Sequence, residues 1–229
     1  MTSPVVHRVL APLRPILFVA AATALALGCA ERQVSTGIYQ LRQGDFSEAV
    51  ASFRDAVARD PDSAIAHYNL GYALSADVRA RATTQDFDGA VDDLREANRS
   101  FDRAVSLDPD TYAREVTTAR RFNFGELYNL AVDLSRGSAL DDAIHALALA
   151  RVAATDALSA QRANVLRLQI DMSRASSTGG PDARERYMGM LAELDRIRRE
   201  GPVDDALVDE IENTLARART LIETDVPGQ

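Results

Sequence analysis

The chain has 229 residues, of which 46% are hydrophobic, and it carries a formal net charge of −8. This length allows one domain or two small ones, and the apolar fraction is sufficient for a globular core. The negative charge argues against nonspecific nucleic-acid binding, which needs clustered cations against phosphates. A single cysteine excludes an intramolecular disulfide.

The N-terminal segment, residues 1–28, has the pattern of a secretion signal. Arg8 and Arg14 precede a run from Ile16 to Leu27 that is apolar apart from Thr23. This run is short for a membrane span and has the length of a signal-peptide core. Cys29, which is the only cysteine, follows almost directly.

The end of this segment resembles the bacterial lipoprotein signal, in which a small residue precedes an acceptor cysteine. Gly28 is such a residue, although Ala26 stands where leucine is usual. The resemblance implies that Cys29 is lipidated and anchors the protein in the cell envelope. Ala30 is compatible with sorting to the outer membrane, so we expect the protein there, facing the periplasm. The alternative is an ordinary signal peptide cleaved nearby, with an incidental cysteine.

A helical-hairpin pattern lies between Gly44 and Leu74. Ala49, Phe53 and Ala56 have helical spacing and share one face. Pro61 ends this helix, because the residue before a proline is disfavoured in the α region.

The next helix is expected to start at Asp62 or Ser63 and opens with Tyr68-Asn69-Leu70-Gly71. Together with Ala49, Phe53, Ala56 and Pro61, these residues resemble the tetratricopeptide repeat. The resemblance implies an all-α fold, a solenoid of antiparallel helix hairpins.

The resemblance extends over residues 29–156 as about three repeats, the second with insertions. Pro61 and Pro109 are 48 residues apart, against a usual period of about 34. Half of the excess is expected as a loop at Asp77–Gln85. The other half is expected to extend the second helix of this repeat through Phe101, so that it protrudes beyond its neighbours.

Further helices are expected after the second repeat. A short extra helix is predicted over Thr111–Phe122, and the third repeat is predicted to begin near Phe124. Residues 157–229 are predicted to form a C-terminal helical cap. The cap is expected to contain amphipathic helices at 157–173, 184–200 and 203–224, with a flexible connection at 176–181.

Residues able to carry chemistry are few. His67 takes a packing position of the repeat, and His145 lies on a helix without a second ligand at metal-binding spacing. The acidic groups at 86–93 and 204–209 lack the spacing of a calcium loop. There is no phosphate loop or nucleophile motif. We therefore predict that the protein is not an enzyme and binds no metal or other cofactor.

The remaining candidate site is a protein-binding groove. In the tetratricopeptide family, exposed positions of the first helix of each repeat line the concave surface. The resemblance assigns these positions to Ile38, Arg42, Tyr68, Asn69, Tyr72, Tyr128, Asn129 and Arg136. The alternative is that these residues only follow the repeat consensus. The family's carboxylate-clamp subtype is not expected, because Val34 and Ile38 occupy its basic and asparagine positions.

The predicted function is a lipid-anchored scaffold that binds other envelope proteins or peptides, including in the assembly of an outer-membrane or cell-wall complex. Its membrane contact is through the lipid, and no nucleic-acid partner is expected. One alternative is a self-assembling structural subunit, with Val91–Leu107 and the C-terminal hairpin as contacts. Another is a cell-wall enzyme with a helical body.

Overall fold

The computed structural model describes residues 31–178 and 183–224, and this part of the chain contains helices and turns but no strand. Cys29 and the predicted signal segment lie outside it. The helices are α1 (31–43), α2 (Phe46–Arg59), α3 (Ala64–Thr83), α4 (Phe87–Leu107), α5 (Pro109–Arg136), α6 (Leu140–Ala153), α7 (Ala157–Thr178), α8 (Ala183–Glu200) and α9 (Asp205–Thr224). The predicted all-α solenoid of antiparallel hairpins is confirmed.

The first hairpin pairs α1 with α2 around the contact between Gly37 and Phe53. A Cβ at Gly37 would lie 2.7 Å from the Phe53 ring, so only glycine allows this approach. α2 ends at Arg59, before Pro61, as predicted. The cap of α3 is Ser63, whose hydroxyl accepts a hydrogen bond from the Ala66 backbone N–H.

The second hairpin is longer than the first because both of its helices are extended. The prediction of a loop at Asp77–Gln85 is wrong, since α3 continues as a helix to Thr83 and only a short turn separates it from α4. The prediction of a long second helix is confirmed by α4. Compared with the first hairpin, α3 and α4 are each about two helical turns longer at the end next to the connecting loop. Because the two additions are equal, the helices stay paired along their length.

The register of this hairpin follows from the contact between Gly71 and Phe101. A Cβ at Gly71 would lie 2.7 Å from the Phe101 ring. Phe101 thus takes the position that Phe53 has in the first hairpin. Leu94 lies two turns earlier on the same buried face and packs with Phe87 and Leu127.

The third hairpin begins with a single long helix instead of two. The prediction of a separate helix over Thr111–Phe122 is wrong, because α5 runs from Pro109 to Arg136 without interruption. Proline at the first helical position is compatible with the helix, and the Asp108 carboxylate accepts from the Thr111 backbone N–H. The additional N-terminal turns lie along the end of α4, where Arg120 donates to Asn98 and Asp102. The end of α4 that was expected to protrude is therefore covered.

Helix α7 joins the repeats to the C-terminal helices. Its residues Leu166 and Ile170 belong to the core formed with α5 and α6. Val165 and Leu168 belong to a second core formed with α8 and α9. The predicted apolar faces of α8 and α9 are buried, and their central residues are Leu194, Ile197, Leu207, Ile211 and Leu215.

The turns of the first three hairpins each contain one residue with positive φ, namely Gly44 (85°), Gln85 (65°) and Ser138 (66°). These turns reverse the chain in the same way, although only the first uses glycine. Among the described residues, no helix combines the length and apolar character required to cross a membrane.

Candidate functional groove

The first helices of the three hairpins, α1, α3 and α5, border a shallow groove whose floor is Tyr68. The Tyr68 ring lies 5.1 Å from Tyr112, 6.0 Å from Phe101 and 6.5 Å from Tyr72, between ring centroids. Phe101 is fully buried, whereas Tyr72 remains 43% exposed. The groove therefore has an aromatic floor that rests on the core and opens to solvent.

The groove consists of two depressions that share Tyr68 and Tyr72. The one between α1 and α3 has a volume of about 410 Å³ and includes Ile38, Leu41 and Arg42. The one between α3 and α5 has a volume of about 540 Å³. Its wall on α5 consists of Arg114, Glu115, Thr118, Ala119 and Phe122. Since both depressions meet at the same two tyrosines, they form one continuous surface across three helices.

Arginine side chains border this aromatic surface. The Arg79 guanidinium lies over the Phe122 ring, 5.1 Å from its centroid, and donates to Asn123 Oδ1 at 2.7 Å. Arg114 is 89% exposed and contacts the neighbouring Glu115 at 3.3 Å. Arg42 forms no ion pair within the described part of the chain. Aromatic rings next to arginines are typical of protein-binding surfaces.

The surroundings of the groove shift the acidity of its polar groups. Burial, followed by the nearby Tyr72, Glu115 and Tyr112, raises the pKa of Tyr68. The Tyr68 hydroxyl therefore stays protonated over the physiological range and can donate a hydrogen bond. Burial lowers the pKa of Arg79, because the partly desolvated guanidinium is not fully compensated by Tyr72 and Glu126.

The structure brings together the predicted residues from the first two repeats. Arg42, Tyr68, Asn69 and Tyr72 all line the depression between α1 and α3. The Asn69 side-chain amide donates to the Ile65 carbonyl of its own helix at 2.8 Å. One amide N–H of Asn69 is thus already occupied.

The predicted residues from the third repeat lie apart from this groove. Tyr128 is partly buried and stacks on Phe124, with ring centroids 5.6 Å apart. Burial and Glu210 of α9 raise the pKa of Tyr128, which places it beside the C-terminal helices. Asn129 and Arg136 are exposed farther along α5, and Arg136 lies 3.6 Å from Asp133. The structure therefore does not bring these three residues together with Tyr68.

Sequence reasoning missed Tyr112, Arg114 and Phe122, which form the α5 side of the groove. They lie in the segment that was expected to be a separate helix. The signal was present in the sequence, because Asp108-Pro109 is a helix start and Gly125 is the only glycine between Pro109 and Gly137.

The two histidines and the first acidic group, which were considered as sites from the sequence, make contacts within the fold. His67 Nε2 lies 3.0 Å from the Pro61 carbonyl, and His145 packs against the Phe87 ring. In the first acidic group, Asp86 and Asp93 pair with Arg81. Across residues 31–178 and 183–224, no three histidine, cysteine or acidic side chains lie close enough together to hold a metal ion.

The fold and the groove define a helical-repeat protein, an all-α solenoid in which the first helix of each hairpin faces one surface. Residues 35–80, from α1 into α3, match the family model of the tetratricopeptide repeat. This match covers most of the first hairpin and most of the helix that follows it.

Other known proteins add little to this assignment. No curated protein is similar enough to match this chain. One similar solved structure comes from the functional characterization of Pseudomonas aeruginosa PilF, with 16% sequence identity. That comparison covers 88% of this chain and 94% of the other, at a TM-score of 0.28. At this score the two chains do not superpose as a whole, so nothing is transferred from that protein.

Proposed function

We propose that the protein is a scaffold that binds a segment of another protein in the groove between α1, α3 and α5. The observation that carries this proposal is the solvent-exposed aromatic surface of Tyr68, Tyr72 and Phe122, bordered by arginines. Phe122 is 54% exposed and Tyr72 is 43% exposed. Exposed apolar patches of this kind serve binding more often than stability.

The shape of the groove favours an extended ligand over a small molecule. Both depressions are shallow and continue into each other, and their walls come from three separate helices. A small-molecule site would enclose most of its ligand. A peptide segment lying across the helices would cover both tyrosines and could receive a hydrogen bond from the Tyr68 hydroxyl.

Peptide selection tests this function. A phage library of random peptides would be selected on the purified protein, and enriched peptides would be tested on Tyr72→Ala and Phe122→Ala. Both side chains are about half exposed, so we expect little change in thermal unfolding but binding weakened by about tenfold or more, as for aromatic anchors at interfaces. Met188 is 55% exposed on α8, and Met188→Ala is the matched control that should keep full binding.

Two results would contradict the proposed function. One is that no peptide is enriched on the folded protein. The other is that enriched peptides bind Tyr72→Ala and Phe122→Ala as tightly as the unchanged protein, because binding would then lie elsewhere on the molecule.

We further propose that this scaffold is anchored by a lipid on Cys29 to the outer membrane, where it faces the periplasm and binds envelope proteins. The support is the sequence before α1, with its basic residues, apolar run and Gly28-Cys29. Each buried methylene of an acyl chain contributes about 0.8 kcal/mol, so several chains hold a protein at a membrane durably. Only residue 30 separates the cysteine from the described helix, which would keep the groove near the membrane.

Metabolic labelling tests the anchor. In a Gram-negative host, we expect labelled fatty acid in the full-length protein and its fractionation with outer membranes. Cys29→Ser should lose both, while its helical content stays unchanged. Equal labelling of the two forms, or none in either, would overturn the anchor and leave the proposed groove function standing.

A further inference from the structure

The charge of the groove is opposite to that of the chain as a whole. The protein has a net charge of −8. The residues that line the two depressions include Arg42 and Arg114 against a single acid, Glu115. Arg79 adds a third cation beside Phe122. An acidic protein therefore presents a cationic rim around two exposed aromatic side chains, Tyr72 and Phe122.

Two of these three arginines have no ion-pair partner among the described residues, whereas Arg114 pairs with the neighbouring Glu115 at 3.3 Å. Within the described residues, neither Arg42 nor Arg79 has a carboxylate within ion-pair distance. The hydrogen-bond partner of Arg79 is the neutral side chain of Asn123, which is only 4% exposed. Glu126 is close enough to influence the pKa of Arg79 but does not pair with it.

The environment of Arg79 makes a missing counter-charge costly. Its guanidinium is partly buried between α3 and α5, and burial lowers its pKa. A partly desolvated cation gains more from a carboxylate than a fully hydrated one does, since water screens the pair less. A ligand carboxylate beside Phe122 would supply this counter-charge and leave the hydrogen bond to Asn123 intact.

The dimensions of the groove limit how much ligand can lie in it. Neighbouring packed helices are about 8–10 Å apart, so a path from α1 across α3 to α5 measures about 16–20 Å. An extended chain covers that distance with about six residues. Arg42 lies at one end of the path and Arg114 and Arg79 at the other, with Tyr68 and Tyr72 between them.

Resting on the proposed groove function, we propose that the occupant is an extended acidic segment of a partner protein. Its side-chain carboxylates pair with Arg42, Arg79 and Arg114, and an apolar side chain between them packs on Tyr68 and Tyr72. This arrangement differs from the clamp that holds a chain-terminal carboxylate, because that clamp uses positions occupied here by Val34 and Ile38.

Matched peptide pools test this inference on the purified protein. All pools would share a central leucine or phenylalanine within random neutral positions, and would carry on each side glutamates, glutamines or lysines. Fluorescence anisotropy would give the affinity of each pool at low and high salt. We expect the glutamate pool to bind about tenfold more tightly than the glutamine pool, as for two or three solvent-exposed ion pairs, and to lose this advantage in high salt.

Arginine variants then test the assignment of the cations. Arg42→Gln and Arg114→Gln change exposed side chains, so their thermal unfolding should match that of the unchanged protein. We expect each to reduce the preference for glutamate by about twofold to threefold, and the double variant to reduce it further. The control is Arg95→Gln on α4, whose side chain is 58% exposed and pairs with Asp92. This variant should keep the full preference.

The possible outcomes separate this inference from the function on which it rests. Equal binding of the glutamate and glutamine pools, with both weakened by Tyr72→Ala, would overturn the acidic ligand and support the groove. An undiminished glutamate preference in the double arginine variant would overturn the assignment of Arg42 and Arg114. Failure of every pool to bind would overturn both proposals.

Discussion

Gly71 and Phe101 are in direct contact across the second hairpin, and their contact sets the distance between α3 and α4. A Cβ on Gly71 would lie 2.7 Å from the Phe101 ring and 3.0 Å from the Ala97 carbonyl oxygen. The ring is fully buried and cannot move into solvent. Gly37 and Phe53 have the same relationship in the first hairpin.

We expect Gly71→Ala to lower the free energy of unfolding by about 1–2 kcal/mol. Overpacking costs about 1–3 kcal/mol, and the better helix propensity of alanine recovers up to about 1 kcal/mol. Chemical denaturation measures the difference. Gly125→Ala is the matched control, since nothing lies within 4 Å of its added Cβ, and it should be stabilising. If Gly71→Ala raised the free energy of unfolding, the two helices would be able to move apart without loss of stability, and the prediction would be wrong.

The hairpin turns allow a test of backbone strain. Gly44 has φ = 85° with open space around it, whereas Ser138 adopts φ = 66° with a side chain. We expect Gly44→Ala to lower the free energy of unfolding by about 1 kcal/mol, and Ser138→Gly to raise it by about 0.5–1 kcal/mol. Thermal unfolding of both variants checks this pair. Changes of the same sign in the two variants would contradict the shared turn geometry.

Because α3 extends to Thr83, substitutions at two residues that are two positions apart should affect the free energy of unfolding differently. Val78 is fully buried in the core, and the nearby Ala80 is exposed. We expect Val78→Asp to lower the free energy of unfolding by about 3 kcal/mol or more, because it buries an unpaired charge. Ala80→Asp should cost less than about 1 kcal/mol. If 77–85 were a surface loop, both variants would be tolerated equally, and urea denaturation separates these results.

Arg81 pairs with three carboxylates and should stabilise the fold at neutral pH. It pairs with Asp77 at 2.7 Å, Asp86 at 3.0 Å and Asp93 at 3.3 Å. Arg81→Met leaves Asp77 and Asp93 partly buried without this cation. After allowance for solvent screening, we expect a loss of about 2 kcal/mol. Arg95→Met, which removes an exposed pair with Asp92, should be nearly neutral.

The effect of Arg81→Met should depend on pH. Burial raises the pKa of Asp93, while Arg81 and Arg54 oppose this shift. A raised folded-state pKa contributes stability that is present below the ordinary aspartate pKa and is lost as the pH rises through the raised value. The ionised Asp93 therefore needs its cation mainly above that value. The difference between Arg81→Met and the unchanged protein should shrink on acidification, and a constant difference would argue against this account.

Asp156 caps the start of α7, because its carboxylate accepts from the Ser159 backbone N–H at 2.7 Å. This hydrogen bond lowers the pKa of Asp156. A lowered folded-state pKa contributes stability that is present above the ordinary aspartate pKa and is lost as the pH falls through the lowered value. We expect Asp156→Ala to cost about 1 kcal/mol at neutral pH and little in strong acid.

The control for Asp156→Ala is another aspartate at a helix start. Asp45 precedes α2, but its side chain makes no capping hydrogen bond. Asp45→Ala should therefore change the unfolding temperature less than Asp156→Ala does. Equal losses in the two variants would show that the charge near a helix start, and not the hydrogen bond, is responsible.

The local helical signals in the sequence predicted most of the fold. Ala49, Phe53 and Ala56 follow one helix face, and they are all fully buried. Pro61 acts through its own ring on the residue before it. The helices α8 and α9 were also predicted from periodicity, within two residues of their observed bounds. Each of these features depends on residues that are close in sequence.

The sequence was less informative where distant segments decide the structure. Residues 77–83 carry charged side chains that resemble those of a loop, but Asp77 and Arg81 pair with each other within α3, and Arg81 also pairs with Asp93 of α4. Half of the groove was missed for a similar reason. The repeat resemblance assigned Tyr128 to the groove, whereas the additional turns of α5 place Phe122 there. That Phe122 lies in the groove in place of Tyr128 is seen only when the three helices are packed together.

Helix α7 contributes Leu166 and Ile170 to one core and Val165 and Leu168 to the other. A stack of hairpins can normally fray from its last member, because that member has a neighbour on one side alone. Here the final hairpin cannot peel away without uncovering α7, and α7 cannot leave without opening the repeats. Amide hydrogen exchange should therefore show α7 protected as strongly as α6. A protein of this design should resist proteases that cleave locally unfolded segments.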